Sequence, residues 1–157
     1  MHPRERLRRL LPGVWCGVLL AIALIAAPAA SGALDRASFG AVARAIFARE
    51  APASLVFGVL ILMVERRAAL DRHHAAGTSQ FSLEMVLALA ALFCTVVGYY
   101  GLEPLMERAR SGASNTLGFM QLHAVSLAFF GAKGLLALAL AWRATLPAPR
   151  PAVRPSS

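Results

Sequence analysis

Apolar residues fall along the chain in four long blocks separated by short charged runs. The first block is uncharged from Leu10 to Leu34 and follows Arg4, Arg6, Arg8 and Arg9. A helix rises about 1.5 Å per residue and needs about 20 apolar residues to cross a bilayer, so this block predicts a full span over 11–34. Gly13 and Gly17 form a small-xxx-small pair suited to close helix packing. Pro28 lacks an N–H and predicts a kink toward the far end. The basic start and the run Ala27-Pro28-Ala29-Ala30 also fit a signal peptide. The block exceeds the roughly 7–15 residues of such a segment's apolar region, which favours a retained span.

From Asp35 to Glu50 the periodicity changes. Phe39, Val42, Ala43, Ile46 and Phe47 recur at helical spacing with Arg44 opposite. This predicts a short amphipathic helix on the membrane surface, or a plain connector helix, between the first two spans. The second span, over 50–67, has its apolar centre at Ala51–Val64 and is short, so flanking arginines must snorkel or the bilayer thin. Glu65 to Gln80 reads as a polar connector in which His73 and His74 are loop residues and Gly77-Thr78-Ser79 a turn. The third span is predicted over 84–102, with Tyr99 and Tyr100 at the interfacial aromatic belt. A second polar connector, Glu103 to Asn115, leads to a fourth span over 117–142, which contains Lys133 and closes on Trp142-Arg143. Residues 144–157 are rich in Pro and Arg and read as a disordered tail. The predicted fold is therefore an all-α integral membrane bundle of four transmembrane helices.

Composition supports that pattern. Charged residues are 15% of the chain, against about 25% in an ordinary soluble domain. The net charge of +8 does not indicate nucleic acid, because the arginines sit at block ends and no nucleic-acid motif accompanies them. Cys16 and Cys94 both lie inside apolar blocks, which predicts two buried free thiols. Orientation follows from the arginines. With the N-terminus inside, the inner segments hold Arg4, Arg6, Arg8, Arg9, Arg66, Arg67, Arg72, Arg143, Arg150 and Arg154, against Arg36, Arg44, Arg49, Arg108 and Arg110 outside. That bias predicts residues 1–10 and the C-terminus in the cytoplasm, and the inner membrane if the source is bacterial.

Polar side chains inside a bilayer are costly, so each calls for a role. Lys133 lies nine residues before Trp142, roughly 13 Å along the helix. Either Lys133 snorkels to the interface, or it pairs at the inner end with Glu84, which shares a face with Ala88, Ala91, Thr95 and Gly98. His123 shares a face with Thr116, Phe119, Met120, Ser126, Phe130 and Gly134. An intramembrane His can bind haem or metal, relay protons, or hydrogen-bond a neighbouring helix, and the structural role is favoured. Met106, Met120 and His123 could converge as a copper(I) site, but no repeated Met, Cys or His ligand spacing supports one. Glu84, Thr95, His123, Ser126 and Lys133 thus form a candidate polar stripe. Gly13, Gly17, Pro28 and Gly98 are candidate packing positions. No phosphate loop, nucleophile elbow or metalloprotease helix is present, and neither a catalytic residue nor a cofactor is expected.

Four motifs carry a family resemblance. They are Gly13-Val-Trp15-Cys-Gly17 followed by Ala27-Pro28; Leu34-x-Arg36-x-x-x-Gly40 followed by Phe47; Tyr100-x-x-x-Pro104 with Met106 and Arg110; and Phe119-x-x-Leu122-His123-x-x-Ser126. Together they resemble the transmembrane protein 205-like family, catalogued as domain of unknown function 4149, over roughly Leu11 to Arg143. Ser31 and Phe130 depart from the family pattern, where Phe and Asn are expected. The resemblance implies membrane location and four helices without a settled activity. The eukaryotic namesake's association with platinum-drug tolerance points toward transport or trafficking. The expected function is a non-enzymatic membrane component acting by helix packing or partner binding. The partners would be the lipid bilayer and a second copy or another membrane protein, without nucleic acid. The alternatives are a small-molecule or metal transport component and a haem or copper redox protein using His123.

Overall fold

A computed structural model of the chain describes residues 3–77, 79–112 and 117–146. The first helix, α1 (Pro3–Ala21), runs through a π-helical turn, Ile22–Ala26, into α2 (Ala27–Ala33). In that turn the Ala27 N–H donates to the Ile22 carbonyl, one residue further back than in an α-helix. Pro28 follows in the first turn of α2, where a missing N–H is least costly. The wide turn ends two residues before Pro28.

Asp35 then caps α3 (Arg36–Ala76), accepting from the Ala37 and Ser38 N–H groups at 2.9 and 3.1 Å. Hydrogen bonds from Ser38 and from the Ala37 N–H hold its carboxyl below the usual carboxylate range. Helix α3 is 41 residues long, about 60 Å at the α-helical rise, and exceeds the roughly 30 Å hydrocarbon core of a bilayer. It stops at Gly77, whose φ of 63° is left-handed and lets its N–H close back onto the His73 carbonyl.

This length corrects the predicted surface helix between the first two spans. Residues 36–50 are the first turns of the same helix that crosses the bundle. The Arg49-Glu50 pair and Pro52 mark no boundary, because Glu50 and Ala51 are buried in the bundle and Pro52 faces outward. His73 and His74 likewise sit in the last turn of α3, not in a loop.

Ser82 caps α4 (Leu83–Thr95), accepting from the Met85 N–H. A second π turn, Val96–Gly101, leads to α5 (Glu103–Arg110). The last helix, α6 (Phe119–Thr145), starts where the Gln121 side chain accepts from the Gly118 N–H at 3.0 Å. Four helical stretches, Glu5–Ala33, Arg36–Ala75, Leu83–Arg110 and Phe119–Thr145, are long and apolar enough to cross a membrane. They overrun the predicted spans because helices continue into polar segments beyond any apolar block. The predicted tail starts later than residue 144, since α6 continues to Thr145; the part from 147 onward, like Thr116, lies outside the described residues.

The bundle is a ring in which α1 touches α3 and α6, and α4 touches α3 and α6. Helices α3 and α6 are diagonal, and among the described residues no pair of their Cα atoms comes within 8 Å. At the end carrying Gly77, the ring closes on a core of Trp15, Cys16, Leu19, Ile61, Ala88, Ala91, Ala137 and Leu140. The Trp15 ring stacks on Phe57 with centroids 6.4 Å apart. Small alanines on α4 and α6 let backbones approach where lipid offers no hydrophobic drive to association. Large apolar side chains such as Leu24, Ile25, Phe93 and Leu135 face outward, as a bilayer allows.

Toward the opposite, Asp35 end the ring opens. Beyond Ala21 the first span stays beside α3 through α2, and among the described residues none of its Cα atoms comes within 8 Å of one in α6. A gap is left where the fourth wall would stand.

Candidate functional site

Among the described residues three ion pairs tie the spans together, and one is deep in the bundle. Lys133 Nζ donates to Glu50 Oε1 at 2.6 Å, and both residues are at most 6% exposed. The Ser54 hydroxyl, one turn along α3, donates to the same oxygen, and the Trp15 indole N–H donates to Ser54 Oγ at 2.9 Å. The Lys133 ammonium also lies 5.0 Å from the Phe130 ring centroid. Trp15, Ser54, Glu50 and Lys133 thus form one buried polar chain linking the first, second and fourth spans.

This corrects the predicted Lys133–Glu84 pair. Glu84 instead accepts from Arg143, at 3.0 Å from Nε and 2.7 Å from Nη2. The reason is height. Arg143 is ten residues beyond Lys133, about 15 Å along α6. Glu84 opens α4 at the Arg143 level, while Glu50 faces Lys133 across the diagonal. The third pair, Arg8 Nε to Glu65 Oε1 at 2.7 Å, joins the first two spans at the Gly77 end. The other Glu65 oxygen is buried without a hydrogen-bond partner.

Between the Lys133–Glu50 pair and the Asp35 end lies a cleft of about 490 Å³. This is within the roughly 300–1,000 Å³ usual for small-molecule sites. One wall is the first part of α3, with Phe39, Gly40, Ala43 and Phe47. The back wall runs from Cys94 and Thr95 through Gly98 and Tyr99 to Met106. The third wall is α6, with Phe119, Met120, His123, Ser126, Leu127 and Phe130. The first span contributes no lining residue, so the cleft opens sideways through the gap it leaves.

The second π turn shapes the back wall. Within it, the Gly98 carbonyl accepts a hydrogen bond from Ser126 Oγ at 2.9 Å. A Cβ on Gly98 would sit 2.6 Å from Phe129 Cβ, so only glycine permits this approach of α6. Phe47 and Phe130 meet edge to face at 5.3 Å across the cleft floor, beside the buried pair. Arg110 at the mouth pairs with Glu107 and Glu103 at 2.7 and 3.3 Å and lies over the Phe119 ring. Arg36 and Arg44, also at the mouth, are exposed and make no ion pair among the described residues.

Of the predicted polar stripe, Thr95, His123, Ser126 and Lys133 line this cleft, and Glu84 does not. Thr95 donates its hydroxyl to the Ala91 carbonyl. The exposed His123 ring stacks on Phe119 with centroids 5.9 Å apart and planes 13° apart. Met106, Met120 and His123 do line one cleft, Met106 buried and the other two exposed. Among the described residues no group of three or more His, Cys, Asp or Glu side chains is placed to hold a metal ion. Both cysteines are buried and free, Cys94 on the cleft and Cys16 in the core.

Gly13 and Gly17 do not pack within the bundle. Both face outward with nothing within 4 Å of an added Cβ, because Pro12, Trp15, Cys16 and Leu19 occupy the inner face of α1. Pro28 is also exposed. The residues that sequence reasoning missed are Glu50, Ser54 and Trp15 in the buried chain and Arg36 and Arg44 at the mouth. One signal was present. Glu50, Ser54, Ile61 and Glu65 follow helical spacing on one continuous face, which makes Glu50 interior and not a boundary.

Residues 10–115 match the family described as Domain of unknown function (DUF4149). The match spans the first three membrane-length helices and reaches the connection to the fourth. No curated protein and no solved structure matches the chain.

Proposed function

The chain belongs to the DUF4149 family, and from that premise we propose that it is a multi-pass membrane protein that works by binding, not catalysis, holding an amphipathic molecule drawn from the surrounding bilayer. The observation that carries this reading is the cleft with one wall missing, apolar along its sides and open laterally where α6 loses the first span. A water-soluble ligand would be served by an axial mouth, whereas a lipid-borne one enters from the side. In this reading both termini lie in the cytoplasm and the Asp35 end with its cleft lies at the outer leaflet of the cell membrane, an orientation that the arginine bias supports. The half of the bundle beyond the Lys133–Glu50 pair is filled by Trp15, Leu19, Ile61, Leu140 and three alanines. That filling favours holding a ligand over conducting one. The finer likeness to transmembrane protein 205-like proteins is part of this reading and rests on the four motifs.

The test is native mass spectrometry of the full chain released from membranes in mild detergent. The expected result is a bound small amphiphile that is lost in Ala43→Trp, where an indole fills the cleft. Identical adducts in both proteins would refute the reading. A haem or copper mass lost in His123→Ala would replace it with the redox alternative.

A further inference from the structure

The cleft's charges do not cancel, and the excess sits at one place. Its lining holds four cationic side chains, Arg36, Arg44, Arg110 and Lys133, against two carboxylates, Glu50 and Glu103, and a third carboxylate, Glu107, reaches Arg110 from outside the lining. Lys133 is neutralised by Glu50, and Arg110 by Glu103 and Glu107. Arg36 and Arg44 are left over, two turns apart on the α3 wall. Gly40 lies between them. Helical side chains lean toward the N-terminus, and Arg44 does so here. Its Nη1 lies 3.8 Å from where a Cβ on Gly40 would sit, so its guanidinium is carried back along the helix toward Arg36.

Below this cationic mouth the walls are apolar for most of their depth. Arg36 and Glu50 are 14 residues apart on one helix, about 21 Å. Before the buried pair is reached, Phe47 and Phe130 close over it. A ligand that matches this order has an anionic head and a long apolar tail.

We propose that the cleft binds an acyl-type chain bearing an anionic head, with the phosphate or carboxylate held by Arg36 and Arg44 and the tail lying between α3, the second π turn and α6. This rests on the proposed function, since it names the class of molecule the cleft would take. Arginine suits the task because its planar guanidinium donates paired hydrogen bonds to phosphate and carboxylate oxygens and keeps its charge in a low-dielectric interface. A free fatty acid and an anionic phospholipid with one chain in the cleft share this chemistry.

The experiment compares binding of hexadecyl phosphate, hexadecanol and hexadecyltrimethylammonium to the full chain in nanodiscs of neutral phosphatidylcholine. Hexadecyl phosphate is expected to bind about tenfold more tightly than hexadecanol, as charge-assisted hydrogen bonds warrant, and the cationic amphiphile more weakly than either. The double variant Arg36→Gln/Arg44→Gln should erase the preference for phosphate while hexadecanol still binds. Both arginines are exposed, so the variant breaks no ion pair or hydrogen bond among the described residues. Equal binding of phosphate and alcohol by the wild-type protein would overturn the anionic head and leave the cleft reading standing. A preference that survives the double variant would overturn the assignment to Arg36 and Arg44. Binding of none of the three would overturn both readings, as would a dimer mass lost in Ala43→Trp, which would make the occupant a second copy of the chain. The mass of the adduct carried from the cell membrane separates the two natural sources.

Discussion

The buried Lys133–Glu50 pair makes a quantitative prediction. Removing one member of such a pair leaves the other charge uncompensated, at a cost of about 3–5 kcal/mol. A lone lysine near a helix centre costs about 2.5–3.5 kcal/mol on insertion scales, which points the same way. Lys133→Met leaves the Glu50 carboxylate with only the Ser54 hydroxyl, and should destabilise the bundle by about 3–5 kcal/mol. Glu50→Gln keeps an oxygen for Ser54 to donate to but strands the Lys133 ammonium among Phe130, Cys94 and Thr95, and falls in the same range. The double variant removes both charges and retains the Ser54 acceptor. Its destabilisation should fall at least about 2 kcal/mol short of the sum of the singles. The assay is equilibrium unfolding in mixed micelles, followed by the fluorescence of Trp15 in a Trp142→Phe background, since Trp15 donates into the same polar chain. Additivity of the two singles within about 0.5 kcal/mol would refute the pairing, because uncoupled sites add. Hexadecyl phosphate binding by the double variant is a second readout of the same proteins.

Two further outcomes follow from the packing and capping geometry. Gly98→Ala should cost about 1–3 kcal/mol in the same unfolding assay, since its Cβ meets Phe129 Cβ at 2.6 Å and α6 must shift; Gly58→Ala, whose nearest neighbours are side-chain atoms of Leu92 that can rotate away, should cost less, and the reverse order would contradict the packing described. The Asp35 carboxyl is held below its ordinary range, so the cap's contribution is fully present above the unfolded value and lost only as pH falls through the depressed one. Amide exchange at Ala37 and Ser38 relative to Asp35→Ala should show protection at neutral pH that vanishes in strong acid, and equal exchange at neutral pH would show the cap to be idle.

How much of this was legible in the sequence depends on what each signal encodes. Apolar length encodes bilayer crossing, so the four spans were readable from the blocks. Charge encodes exposure only on average. Glu50 and Lys133 break that average because each hides the other, and although helical phase puts Glu50 on the interior face, it does not identify a partner 83 residues away. For this reason the first 15 residues of α3 read as a separate surface helix. Small-residue spacing gives proximity without direction. The Gly13/Gly17 face lost the interior to the Trp15 and Leu19 face of the same helix, which buries far more apolar surface. Helical phase did bring Thr95 and Gly98, and His123 and Ser126, onto their respective faces. The cleft they line was not legible, because it exists through the departure of a fourth wall that no motif records.

The level of the ion pair ties these observations together. A well-packed hydrophobic replacement of a buried pair is often neutral or stabilising, so stability alone does not account for charges at this depth. Lys133 and Glu50 reach toward each other from the two helices whose backbones do not touch, at the level where the filled core ends and the cleft begins. A pair in that position acts as a strut. It holds α3 and α6 at a fixed separation across the diagonal and so sets the width of the cleft above it. Two apolar side chains could fill the same space yet would let the helices close or slide, because dispersion contacts have no preferred partner or direction. The doubly substituted protein therefore separates two properties that coincide in the wild type. It should lose clearly less unfolding free energy than the two single variants together yet lose most of its hexadecyl phosphate binding, whereas undiminished binding would show that the cleft keeps its width without the strut.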